Sequence, residues 1–138
     1  MGDIFFDNQM LNILQQGLNG VSQRHRVLSN NIANADTPNF KRSDVDFYGT
    51  LSRIIQKESK TAPLYTTHPD HLAVSQPVMS PVFGIMQSFD TTQRADGNNV
   101  DIEKEIVEVN KNAILHDTLI NFVSSEFSGL RYAIQEGR

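Results

Sequence analysis

Apolar residues return at alternating three- and four-residue steps in two stretches of the chain. Near the start they are Leu11, Leu14, Leu18, Val21, Leu28 and Ile32, with His25 as the one polar interruption. Near the end they are Ile102, Ile106, Val109, Ala113, Ile120, Val123, Phe127, Leu130 and Ile134, interrupted by His116. A strict 3.5-residue period favours left-handed supercoiling between helices, whereas a globular surface helix has a broader, less regular apolar face. The pattern therefore predicts two long terminal helices, each facing partners along a narrow subunit-packing seam. His25 and His116 then read as polar residues that set the register of pairing.

Local signals mark the helix ends. Thr37-Pro38 predicts the stop of the first helix, since Pro38 lacks a backbone donor and pushes Thr37 out of the helical region. Asp96-Gly97-Asn98-Asn99 is turn chemistry; Asp101 follows as a cap, with Glu103 and Glu105 complementing the positive end of the helix dipole. The second helix is expected from Asp101 to Gln135 or Glu136, a length of about 50 Å at the usual helical rise. Between the helices, 44–57 has a short helical pattern, and 61–94 is rich in Pro, with extended pieces around 72–74 and 82–86. The expected fold class is mainly α: long N- and C-terminal helices form an antiparallel coiled-coil-like pair, joined by an irregular middle with short helical and extended pieces. The expected organisation is one elongated subunit, with 1–37 carrying the first helix, 38–100 the loop-rich middle and 101–138 the second helix.

Composition narrows the chemistry. The 138 residues include no Cys, which removes thiol catalysis, disulfides and thiolate metal sites. A net charge of -4 and the absence of Trp argue against a nucleic-acid footprint. The start of the chain carries Asp3 and Asp7 where a signal peptide would be basic, so no cleaved signal is expected.

His68-Pro69-Asp70-His71 is the most ligand-like cluster, but metal sites need three or four converging ligands, so it reads as a polar turn. Residues 92–103 place Asp96, Gly97 and Glu103 as a calcium loop would, yet Thr92 and Arg94 stand where its first carboxylates belong. No nucleophile elbow or glycine-rich phosphate loop accompanies the Ser, His and Asp residues. The chain reads as a non-enzyme with no cofactor, no metal and no small-molecule substrate.

The segment Leu28-Ser29-Asn30-Asn31-Ile32-Ala33-Asn34-Ala35-Asp36-Thr37-Pro38-Asn39-Phe40-Lys41-Arg42 resembles the signature of the bacterial flagellar rod, hook and hook-associated axial proteins. The motif positions are Asn30, Asn31, Ile32, Ala33, Asn34, Thr37, Pro38, Phe40 and Lys41. Gly and Tyr commonly follow the Pro in that family; Asn39 and Phe40 stand here, and Asn tolerates the left-handed turn. The segments 44–51, 68–72 and 96–105 are similar to those of proximal rod subunits, so the likeness covers nearly the whole chain.

The resemblance implies a homo-oligomeric structural subunit, exported unfolded through the flagellar type III apparatus. Its helices would pair within the subunit and pack against neighbours to form the inner layer of a hollow tube. The neighbours it implies are further copies, the adaptor FliE, the rod proteins FlgC and FlgF, and the membrane-embedded MS ring. Two other readings stay open on the residues alone: a coiled-coil adaptor or secretion chaperone, and a small hydrolase using His68, Asp70 and His71.

Overall fold

The computed structural model describes residues 8–60, 83–88 and 94–136. Their element order is α1 (Asn8–Ala33), β1 (Ser43–Val45), α2 (Phe47–Lys60), β2 (Ile85–Gln87) and α3 (Ile102–Glu136). The long helices run antiparallel. Asn31 meets Glu105, Arg24 meets Glu108, Val21 meets Asn112, and Gly17 lies beside Leu119. No described helix is long and apolar enough to cross a membrane.

Helix α3 starts where its cap predicts: the Asp101 carboxylate accepts from the Glu103 and Lys104 amides at 3.1 and 3.3 Å. Helix α1 ends at Ala33, earlier than the proline stop predicts. Here the Asn34 side chain donates to the Asn30 carbonyl at 2.8 Å, which closes the helix with a side chain before Pro38 is reached. The strands pair antiparallel, with Ser43 opposite Gln87 and Val45 opposite Ile85. The expected helical stretch from residue 44 begins only at Phe47, because Ser43 to Val45 are taken up by this ladder. The extended piece expected at 82–86 overlaps β2, whereas those at 72–74 and the His68–His71 cluster lie outside the described residues.

The core gathers Val21 and Val27 of α1, Val45 of β1, Phe47 and Ile54 of α2, and Phe83, with Leu115 and Leu119 of α3 packed against it. The Phe47 and Phe83 rings stack at 5.9 Å between centroids, and the Phe83 ring lies directly over Gly20. A Cβ at Gly20 would stand 2.5 Å from that ring, so the absent side chain is what admits it. The Gln23 amide holds the same segment by donating to the Phe83 carbonyl at 2.9 Å. All of this lies on one side of the α1–α3 pair.

Candidate functional site

Two features emerge from this arrangement: a polar joint at one end of the helix pair and an apolar side along its length that no other described element covers. The joint is built around Glu105, Asn31 and Asn98, each fully buried. A buried carboxylate is costly without partners. Glu105 accepts from Arg42 Nε and, at 2.9 Å, from Asn31 Nδ2. Asn31 also donates to the Ser43 carbonyl at 2.7 Å and accepts from the Ser43 amide at 3.1 Å. Its side chain thus pairs with β1 as a neighbouring strand would, and ties α1 to both β1 and α3.

A second set of contacts closes the turn after α1. Asn98 Nδ2 lies 3.0 Å from the Asn34 and Ala35 carbonyls and 2.9 Å from that of Thr37. Asn39 has φ 60° and Gly97 φ 78°, and the Asn39 amide donates to the Asp96 carbonyl at 2.9 Å. The left-handed turn expected at Asn39 is therefore present. Lys41 donates to the Gly97 carbonyl at 2.6 Å, and Asp96 accepts from the Asn98 amide, so both groups brace the turn. Among the described residues no group of His, Asp and Glu side chains is arranged to hold a metal ion.

An ionic chain extends the joint along the helices. Arg24 grips Asp44 with two bonds of 2.9 and 3.1 Å and reaches Glu108 at 2.9 Å. Burial pushes the Asp44 carboxyl up, but the Arg24 guanidinium, the Val45 amide and Arg42 outweigh it and hold the group below its usual value. Glu108 is also held low, chiefly by the Lys111 ammonium and then by Arg24.

The residues of the two apolar stripes divide between covered and uncovered positions. On α1, Leu14, Val21 and Leu28 are buried, Leu11, Leu18 and Ile32 are half-buried, and His25 is exposed. On α3, Val109, His116, Val123 and Leu130 are half-buried, while Ile102, Ile106, Ala113, Ile120, Phe127 and Ile134 are exposed. The face that α3 turns to α1 carries Glu105, Asn112 and Leu119, each one residue before an exposed stripe member and so about 100° around the helix. Asn112 is buried there, donating to the Val21 carbonyl at 3.0 Å, with its Oδ1 unpartnered. Asn112 is thus one of several polar residues between the helices, with Arg24, Asn31, Glu105 and Glu108. His25 does not hold that place, because the α1 face against α3 is centred between Val21, Arg24 and Leu28.

Helical geometry puts the half-buried row of α1 and the exposed row of α3 on the same side of the pair, opposite α2, the strands and Phe83. Among the described residues, nothing packs over that side. Ile106, Ala113, Ile120 and Phe127 follow one another at seven-residue intervals, and Ile106, Ile120 and Phe127 are 48, 44 and 57% exposed. The antiparallel register brings the start of α1 at Asn8 level with about residue 126, so the last turns of α3 extend past the described part of α1. Asn98 and Glu105 complete the joint with the signature's Asn31, a buried role that the sequence alone did not assign to them; Asp96-Gly97 beside them was the available signal.

Comparison with known proteins follows the same lines. The family described as flagella basal body rod protein matches residues 11–41. The chain is 36% identical over 134 residues to the flagellar basal body rod protein FlgB of Aeromonas hydrophila, covering 96% of each. It is 34% identical over 128 residues to FlgB of Buchnera aphidicola, 93% of this chain and 96% of that one. To FlgB of Bacillus subtilis it is 30% identical over 125 residues, 91% and 92% of the two chains.

Proposed function

This chain belongs to the FlgB family of flagellar basal body rod proteins, as a structural and non-enzymatic subunit of the rod, and from that premise we propose that the open side of the α1–α3 pair is the surface through which it polymerises. Its place is the flagellar basal body, where it assembles with other flagellar proteins. The observation that supports the surface is the exposed heptad row of α3, which nothing among the described residues covers. Monomers rarely leave large contiguous apolar patches exposed unless they are interaction sites.

On this reading the seam residues split by task. Leu14, Val21 and Leu28 hold the subunit together, while Ile102, Ile106, Ala113, Ile120 and Phe127 meet neighbours. The chain acts as one elongated subunit over 1–138 and contributes to the inner wall of the drive shaft and export channel. Its neighbours are other copies, FliE, FlgC, FlgF and the MS ring, reached by export through the flagellar type III apparatus without signal cleavage.

The test uses Ile106→Asp and Ile120→Asp. Both positions are about half exposed in the subunit, so the monomer still folds, at a cost of about 1–2 kcal/mol, while a carboxylate buried at a contact without a partner blocks association. Electron micrographs of basal bodies should lack the rod, and motility should be lost. Normal rods and motility in both variants would refute the assignment.

A further inference from the structure

The heptad seam of α3 is not spent on α1. It steps by four and three from Ala113 to Ile134 by way of Ile120, Val123, Phe127 and Leu130, whereas the face turned to α1 carries Glu105, Asn112 and Leu119. A seam of that period calls for a second helix of like period along it. Beside it, on the flank away from α1, run Glu103, Asn110, Asp117, Ser124 and Arg131, seven apart and all exposed. The row is acidic toward one end and basic at the other. Glu103 and Arg131 are in no ion pair among the described residues, and Asp117 has only His116, at 3.6 Å.

We infer that the free subunit forms a closed dimer in which the α3 helices of two copies lie antiparallel along this seam, centred near Ser124. The dimer stands on the seam and the charged row alone. Its consequence, that it withholds the subunit from the rod, rests on the reading of the open side as the polymerising surface.

Charge selects the direction and the register. A parallel pair would set acid on acid and Arg131 on Arg131, and like charges at a contact select against it. An antiparallel pair sets unlike ends together. Centred on Asp117, it would join Glu103 to Arg131 but bring the two Asp117 side chains together at the axis. Centred between Asp117 and Ser124, it would leave these charges opposite Asn110 or Ser124. Centred on Ser124, it joins Asp117 of each copy to Arg131 of the other, twice by symmetry, with only serines on that flank at the axis. On the opposite flank Glu126 approaches its mate, level with the first turn of α1, whose positive end favours an acid.

The same register covers the end of α3. Residues 127–136 pass beyond the described part of α1, with Phe127 57% and Ile134 72% exposed. Turned about Ser124, they lie along 112–121 of the other copy, where Ile120 is exposed. The two α1 helices then meet near their Asn8 ends rather than side by side, and no charged residue stands from Asn8 to Gln23 to oppose the approach. A two-fold contact consumes the same patch on both copies and stops. Growth by repetition of one contact leaves all copies pointing the same way, so the antiparallel pair is not a rod contact. It covers the seam and holds the free subunit back from polymerising.

Because the chain has no Cys, single cysteines report the geometry. With a short bis-maleimide, Ser124→Cys should link to itself, and Asp117→Cys should link to Arg131→Cys in a mixture. Asn110→Cys should not link to itself, since its two sites would lie about 40 Å apart at the usual helical rise. Sedimentation equilibrium from about 1 to 100 µM should show monomer passing to dimer; Arg131→Glu raises the dissociation constant about tenfold, and Arg131→Glu with Asp117→Arg in one chain restores it. Self-linkage of Asn110→Cys, or a chain monomeric at the highest concentration, would overturn the dimer and leave the polymerising surface standing. Dimers locked through Ser124→Cys should not extend rods, and extension equal to that of free subunits would overturn the withholding role. Failure of the unlinked chain to polymerise would instead overturn the functional reading beneath it and leave the dimer.

Discussion

Replacing Glu105 with Ala is the sharpest probe of the joint. The side chain is fully buried and accepts from Arg42, just before β1, and from Asn31 of α1. Removing one partner of a buried pair costs about 3–5 kcal/mol, because the other is left desolvated and unmatched. Here Arg42 keeps Asp44 at 3.3 Å and is 23% exposed, and Asn31 keeps Ser43, so the lower end applies. A loss of about 3 kcal/mol should lower the melting temperature of a chain this size by roughly 10 °C. Glu105→Gln should fall between, since an amide offers one acceptor where two donors converge. Lys111→Ala, which breaks an ion pair whose lysine is 63% exposed, should cost less than about 1 kcal/mol. Circular dichroism melts and urea titrations of the monomer give all three values. If Glu105→Ala melts like Lys111→Ala, the joint is not what holds α1 to α3 and the reasoning fails.

Three further outcomes can be measured on the monomer. Gly20→Ala should destabilise by about 1–3 kcal/mol, since its Cβ would meet the Phe83 ring, whereas Gly17→Ala, facing Leu119 at an ordinary 3.4 Å, should gain up to about 1 kcal/mol of helix propensity; equal effects in urea titrations would contradict the docking of Phe83. Asn39→Gly should be neutral and Asn39→Val should cost on the order of 1–2 kcal/mol, because φ 60° penalises a branched side chain; a tolerated Val would mean that the turn is not left-handed. Asp44 and Glu108 have lowered pKa values in the fold, so their stabilisation is present above the unfolded carboxylate value near pH 4 and is lost as pH falls through the lowered values. Asp44→Asn should therefore be less stable at pH 7 and lose less on acidification; an acid slope equal to that of the unsubstituted chain would refute this.

The long helices were legible because heptad spacing, the Asp101 cap and the breaks at their ends are local signals. Their mutual orientation was not legible at the level of side chains. Periodicity marks apolar residues, while the face α3 turns to α1 is occupied by Glu105 and Asn112, polar residues whose partners lie tens of positions away. The apolar stripe therefore pointed to the outward surface of α3 more than to its inner one. The joint was half legible. Asn31 and Asn34 stood in a recognisable signature, but nothing local shows that Asn98 would bridge to the carbonyls of Asn34, Ala35 and Thr37. Nothing local marks the need for glycine at Gly20, since Phe83, the residue that needs its missing side chain, lies 63 positions away.

The antiparallel register also fixes how the subunit responds to force. Asn8 of α1 and Glu136 of α3 lie toward one end of the helix pair, and the joint of Asn31, Arg42, Asn98 and Glu105 closes the other. A pull on either end of the chain loads the pair as a zipper: contacts such as Gly17 with Leu119 open in succession, each at small cost. Shearing the helices along their length would load every contact at once. Local opening should accordingly be easiest at the Asn8 end and approach the global unfolding free energy only at the joint. The subunit is mechanically soft when peeled from its ends and stiff when strained along its axis.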